Sequence, residues 1–279
     1  GVLFFFLIII GLLLIVGCAP SVPTPQYGII DVNSTPDGAK IYLDGVDTGM
    51  ATPFTITNLE PGSHTIKLDN CCYKIWEESV VVTAGETSYL NPILTAADQE
   101  FVVIQPGSEG KDAYVHSDFS DQNYGDRLYG MIGGSASSFI SRFYLQFDLS
   151  SIPSNARVLN ADLELYQFVL LPSEPDIFDV NIHKVTSNWE EDTITWDLQP
   201  ASSSNVEYTN DITGGETGGR YWNLDDIVQG WVNGTITNYG MVLKDSDENE
   251  VRTRVTFRTS DYNTETIRRP RLEIEYYIP

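Results

Sequence analysis

The chain has 279 residues, with 39 Asp and Glu against 16 Lys and Arg, a formal net charge of -23, 42% hydrophobic residues and 3 cysteines. Such acidity argues against nucleic acid as a partner, because phosphate binding is driven by clustered cations that release counterions. Three cysteines are too few for a disulfide framework, and the length suits one small and one larger core.

Residues 2–17, VLFFFLIIIGLLLIVG, form an uncharged apolar run that falls short of the roughly 20 residues a spanning helix needs. The run is therefore read as the hydrophobic region of an export signal. It ends in Ile15-Val16-Gly17-Cys18, which resembles the lipobox of prokaryotic lipoproteins and implies lipidation at Cys18 after removal of residues 1–17. The basic region that precedes such a run is missing and the chain opens at Gly1, so a start upstream is expected. A lipid anchor implies a membrane partner and an extracytoplasmic, envelope-bound location for all that follows. Residues 18–26 begin CAPSVPTPQ, where prolines alternate with small residues and predict an extended tether.

From residue 27 to 95 the sequence predicts short antiparallel strands. AKIYLDG places Ile41 and Leu43 on one face against Lys40, Tyr42 and Asp44 on the other. PDG, LDGVDTG, LEPGSH and TAGET supply the turns between runs. The segment resembles a PEGA domain, a small β-sandwich named for a Pro-Glu-Gly-Ala motif, here Pro36-Asp37-Gly38-Ala39. YLDG at 42–45, LEPGSHTI at 59–66, Tyr73 and VVVTAGET at 80–87 extend the match. Where that family carries Pro-Gly before the Tyr, this chain has Cys71-Cys72. Adjacent cysteines form a strained disulfide, stay reduced, or pair between molecules. A lone His64 in the matched strand reads as a surface or packing residue, not a metal ligand.

Residues 96–110 read as a linker with a short strand at 101–104, and residues 111–279 as a larger all-β domain of sandwich or jelly-roll type. RFYLQFDL sets Phe143, Leu145 and Phe147 against Arg142, Tyr144 and Gln146, and ADLELY sets Ala161, Leu163 and Leu165 against Asp162, Glu164 and Tyr166. One helix is predicted in WNLDDIVQGWVNG, with Leu224, Ile227, Val228 and Trp231 on its buried face, Asn223 as N-cap and Gly234 at the stop.

Several blocks together resemble a DNRLRE domain, a family that includes jelly-roll carbohydrate-binding modules, and similar blocks occur in the repeats of disaggregatases. They are DAYV at 112–115, NYGD at 123–126, FDLSSIP at 147–153, WEEDTITW at 189–196, WVNGTITNYGMVLK at 231–244 and RRPRLEIEY from 268. Asn223 stands where that pattern commonly has Asp, and Asp261 where it commonly has Glu. The resemblance implies polysaccharide as the partner. It also leaves a structural Ca²⁺ as a prospect without assigned ligands, since jelly-roll modules often bind one. No other cofactor is expected.

Sugar binding asks for an exposed aromatic face and a few polar groups that fix orientation. Tyr124, Tyr129, Tyr144, Tyr166 and Tyr239 are candidate faces, and Arg142, beside Tyr144 on one strand face, is a candidate partner for a uronate carboxylate. Arg252, Arg254 and Arg258 alternate along a second strand and form the main cationic stripe. In WEEDTITW, Ile194 and Trp196 are expected to share a strand face, with Glu190 to Asp192 in solvent. No catalytic residues are assigned: acidic side chains are abundant throughout, and no nucleophile-elbow pattern is present. The sequence thus points to a non-enzymatic surface lipoprotein that binds polysaccharide through its C-terminal domain, with the PEGA domain as spacer. The alternatives are a structural or adhesion protein and a polysaccharide-degrading enzyme or fragment. Asn33-Ser34-Thr35 and Asn233-Gly234-Thr235 match N-glycosylation acceptors.

Overall fold

The computed structural model describes residues 26–135, 139–170, 177–249 and 254–279. The apolar run, Cys18 and Arg252 lie outside the described residues. Among the described residues no helix is long and apolar enough to cross a membrane. The protein is all-β with one α-helix among those residues, and it divides into two compact units: residues up to 68 with 76–93, and 69–75 with 94–279.

The first unit contains β1 (Gly28–Val32), β2 (Lys40–Leu43), β3 (Val46–Ala51), β4 (Phe54–Leu59), β5 (Gly62–Asp69), β6 (Trp76–Val82) and β7 (Thr87–Leu90). One sheet runs β4-β1-β7, with β1 and β7 parallel, and the other runs β3-β2-β5-β6. Alternation puts Ile30, Val32, Ile41, Ile66 and Leu68 inside, all fully buried. Each contributes on the order of 1.5–3 kcal/mol by leaving water. His64 is tied by Nδ1 to Asp44 Oδ2 (2.8 Å) and by Nε2 to the Glu60 carbonyl (2.9 Å), a surface latch between two turns.

The second unit is built from β8 (Gln99–Ile104), β9 (Lys111–His116), β10 (Tyr129–Ser135), β11 (Phe139–Gln146), β12 (Arg157–Phe168), β13 (Ile177–Lys184), β14 (Tyr208–Thr213), β15 (Gly218–Asn223), α1 (Asp225–Val232), β16 (Met241–Asp245), β17 (Val255–Arg258) and β18 (Arg271–Tyr277). The segment read as a linker supplies β8, which pairs along β18 from Ile104 to Gln99. One layer follows the order β14-β13-β16-β11, with β9 also on β11; the other follows β17-β12-β18-β8, with β15 also on β12. β10 joins them: Tyr129–Ile132 pair with β17, whereas Gly133–Ser135 pair with β11. Gly133 and Gly134 have φ of 101° and 99°, a conformation that side chains resist, so glycine is what lets one strand turn from one layer into the other. The core lies between the layers and holds Phe143, Leu163, Trp222, Leu243, Phe257 and Ile274.

The helix begins at Asp225, with Leu224 in the capping position and no side-chain cap, so Asn223 sits one residue too early to be the N-cap. Leu224 is drawn into the core (2% exposed), and its N–H donates to the Ala161 carbonyl (2.7 Å), while Asp225 Oδ1 accepts from Ala161 N–H (2.6 Å). Docking on β12 therefore sets the helix start, ahead of local capping chemistry. Trp231 is buried as expected, and Gly234 has φ 74° just past the end.

At Asn70–Tyr73 the chain makes a β-turn closed by Tyr73 N–H on the Asn70 carbonyl (3.2 Å), with Cys72 at φ 66°. Left-handed backbone costs a residue bearing Cβ roughly 1–2 kcal/mol, and a type II turn favours glycine in that third position. Cys72→Gly is accordingly expected to stabilise the protein by roughly 1 kcal/mol, read as a rise of a few degrees in the thermal midpoint by circular dichroism. An unchanged or lower midpoint would show that Cys72 makes a compensating contact.

Candidate functional site

Arg142 and Tyr144 emerge from β11 on the side opposite the main core. There Tyr144 joins Ala113, Val115, Trp189, Ile194 and Val242 in a second apolar cluster, with Trp196 and Tyr239 packed against it. The segment 189–196 is a set of turns, not the expected strand; Ile194 N–H donates to the Glu190 carbonyl (2.9 Å). This segment covers the sheet face, so Tyr144 is 1% exposed and offers no face to a sugar. Burial pushes its phenol up to about 12, and its hydroxyl donates to Gln199 Oε1 (3.1 Å). Arg142 forks onto Glu248 through Nε and Nη2, both at 2.7 Å, donates from Nη1 to Gln199 Oε1 at 2.7 Å, and lies 4.7 Å from the Trp196 ring centre. Its guanidinium is therefore occupied, and the cluster buckles the covering segment to the sheet. Trp196 and Glu248, remote in sequence from Arg142, gave no signal of this.

The cationic stripe behaves differently. Arg258 lies opposite Tyr129 on β10, and its guanidinium carbon sits 3.5 Å from the Phe168 ring centre and 4.0 Å from that of Tyr262. Among the described residues its Nε has no hydrogen-bond partner and no carboxylate is paired with it. Desolvation by burial holds its pKa below the ordinary value, with Arg268 adding like-charge repulsion. Arg268 in turn covers Tyr166 at 4.5 Å. The aromatic surroundings continue inward: Tyr129 meets Phe168 edge-on (6.5 Å), and Tyr114 stacks on Tyr129 (5.7 Å) and on Tyr124 (4.4 Å). Tyr124 is thus 7% exposed, a packing ring within the stack and no platform. Arg254, just before β17, rests 5.8 Å from Phe139, whose ring stacks on His116 at 4.5 Å. Of the two described stripe residues, Arg258 is the one clamped between two rings: cation–π contacts fix its guanidinium, and no carboxylate among the described residues is paired with it.

Three of the sequence blocks, together with Ser260, meet at a buried carboxylate. Asp112, 2% exposed at the start of β9, donates its N–H to Glu191 Oε1 (2.9 Å) and accepts the Ser260 N–H on Oδ2 (2.8 Å). Its Oδ1 has no partner among the described residues. Asn123 Nδ2 donates to the carbonyls of Glu191 (2.6 Å) and Ile194 (2.8 Å). A Cβ at Gly125 would lie 2.4 Å from the Glu191 carbonyl oxygen, so glycine is required for that close approach. Burial raises the Asp112 carboxyl to about 7, with Glu191 and Asp261 adding repulsion and Ser260 opposing it; burial also raises Glu191 and Asp261. Among the described residues no group of three or more His, Cys, Asp or Glu side chains is placed to hold a metal ion. No ligands are assigned to the Ca²⁺ prospect. Glu190 approaches Lys111 Nζ (3.8 Å) while Glu191 serves Asp112, so the two adjacent carboxylates have separate structural partners.

A separate cavity of about 860 Å³ opens beside β8 and the ends of β9 and β11, with Gln105, Lys111, Gln146, Phe147, Asp148 and Asn238 among its walls. Gln146 Nε2 donates to the Asn238 carbonyl (2.8 Å), while its buried Oε1 has no partner among the described residues.

Because the folded pKa of Asp112 is raised above 3.8, its contribution to stability is complete below that value and is lost as pH rises through about 7. Asp112→Asn is expected to flatten the fall in thermal midpoint between pH 5 and pH 8, gaining roughly 1–3 kcal/mol over the parent at the alkaline end. Parallel pH profiles for the two proteins would show that Asp112 is ionised throughout.

Comparison with known families follows the same division of the chain. A model described as PEGA domain matches residues 27–97, and one described as carbohydrate-binding module family 96 matches residues 105–276. No curated protein matches the chain. The helix, the convergent blocks and the strands of the second unit from β9 onward fall in the larger match, the seven strands of the first unit fall in the PEGA match, and the chain belongs to carbohydrate-binding module family 96.

Proposed function

We propose that this protein binds a carboxylate-bearing polysaccharide through Arg258. The observation that carries the reading is the contrast between two arginines: Arg142 is neutralised by Glu248, whereas Arg258 is held between Phe168 and Tyr262, its Nε buried and no carboxylate among the described residues paired with its guanidinium. In a chain of net charge -23, a cation held by rings and not by a carboxylate retains its capacity for an external anion. A uronate carboxylate matches the planar fork, and the half-buried rings of Phe168 and Tyr166 add apolar surface for sugar C–H groups. Binding, and not catalysis, is the role a carbohydrate-binding module supports. A second reading places a neutral glycan in the cavity beside Gln146, where Gln105, Asp148 and Asn238 supply further polar wall for sugar hydroxyls.

Around this site the sequence supports a surface lipoprotein: lipid at Cys18, a Pro-rich tether, and the PEGA domain as a spacer or envelope-contact module. A structural or adhesive envelope protein is the reading left standing if no glycan binds, and release of reducing or unsaturated ends from a polysaccharide would make the chain an enzyme.

Calorimetric titration of the full chain with a polyuronate and with a neutral glucan separates these readings. Arg258→Ala is expected to weaken polyuronate binding about 10- to 100-fold at low salt, and Arg258→Lys to restore only part of it because the fork is lost. Unchanged polyuronate affinity in Arg258→Ala would remove this face. Glucan binding that is abolished by Gln146→Ala would move the site to the cavity. For the anchor, cells supplied with a labelled fatty acid are expected to label the parent protein and not Cys18→Ser, with the variant leaving the membrane fraction. Equal labelling of both would refute lipidation at Cys18.

A further inference from the structure

The paired cysteines have no part in glycan binding, yet their geometry is specific. Their Sγ atoms lie 3.1 Å apart in the Asn70–Tyr73 turn, with Cys71 exposed and Cys72 half-buried. The turn is held from its flank: Ala97 N–H donates to the Cys72 carbonyl (2.9 Å), Lys74 N–H donates to the Thr95 carbonyl (2.8 Å), and Tyr73 bridges to Ala96. Cys72 occupies a left-handed position, φ 66°, where glycine would sit without strain. The two thiols are thus kept side by side at a position that favours neither backbone conformation nor core packing.

We propose that Cys71 and Cys72 form a thiol–disulfide exchange site whose co-reactant is an external disulfide, either a low-molecular-weight disulfide or one on another protein. The Cys71 thiolate, the more accessible of the two, attacks one sulfur of that disulfide. The external S–S bond breaks, a mixed disulfide forms on Cys71, and the departing thiolate takes up the proton that Cys71 gave to solvent. Cys72, deprotonated in its turn, attacks Cys71 Sγ, and the second external thiolate departs and is protonated. The net change is oxidation of two protein thiols to one disulfide and reduction of the external disulfide to two thiols. The Cys71 thiol beside it holds the Cys72 thiol above its ordinary pKa, which favours Cys72 as the resolving partner. Closure shortens the sulfur separation to about 2.05 Å. Neighbouring Cα atoms are only about 3.8 Å apart across a trans peptide, below the span disulfides prefer. The product is therefore strained and readily reduced, a reversible site in place of a permanent staple.

The test treats the full chain with oxidised glutathione and reads the tryptic peptide LDNCCYK, residues 68–74, which contains both thiols and not Cys18. A peptide lighter by about 2 Da, resistant to iodoacetamide and restored by dithiothreitol, is the expected result. Cys72→Ser is expected to stop at a glutathione adduct on Cys71. Repeating the oxidation in urea supplies a control that needs no variant: closure is expected to slow about tenfold once the turn no longer holds the sulfurs together. A persistent glutathione adduct on the parent peptide, two alkylated thiols, a cross-link between two chains, or equal rates in buffer and urea would each overturn the proposal.

Discussion

The larger domain depends on the cost of burying Asp112. A carboxylate removed from water must be neutralised or hydrogen-bonded, and here Ser260 N–H provides the bond while burial raises the carboxyl toward neutrality. Glu191 reaches the Asp112 N–H, and Asn123 holds the Glu191 carbonyl. Segments up to 148 positions apart are thereby fixed at one end of the sandwich. This explains why blocks that look unrelated along the chain occur together: each supplies a donor, an acceptor or a missing side chain to the same small volume.

Fixing that end also fixes the aromatic stack above it. Tyr124 follows Asn123 directly and stacks on Tyr114, two residues beyond Asp112; Tyr262 lies two residues beyond Ser260 and covers Arg258. Arg258 is therefore positioned by the same backbone contacts that satisfy Asp112. Arg142 shows the opposite outcome for the same residue type. Its fork is closed by Glu248 and Gln199, so its charge stabilises the covering segment and is withheld from ligands. Charge counting cannot separate these two arginines, because the difference lies in which partner the fold delivers.

The two apolar clusters obey one rule read on two sides of a sheet. Alternation in β11 sends Phe143 and Leu145 to the main core and Tyr144 to the opposite face. A polar outer face would satisfy most sandwiches, but here residues 189–196 fold back over it and bury it. The surface expected to present aromatic rings to sugar becomes interior. The proposed recognition is therefore placed beside Arg258, with the cavity beside Gln146 as its alternative.

Sequence alone determined what rests on local repetition and backbone stereochemistry. Period-two alternation gave the strand faces of Ile41, Phe143 and Leu163, the helical spacing buried Ile227, Val228 and Trp231, and the glycines at 38, 45 and 234 marked positive-φ turns. Motif combinations pointed to the PEGA domain and to a carbohydrate-binding domain after it. Tertiary structure alone decided partners: Glu248 for Arg142, Phe168 and Tyr262 for Arg258, Ser260 for Asp112, and the start of α1 through Ala161. The physical reason is range. Alternation and turn chemistry act over a few residues, whereas desolvation and hydrogen-bond satisfaction depend on groups brought close only when the two layers close on each other.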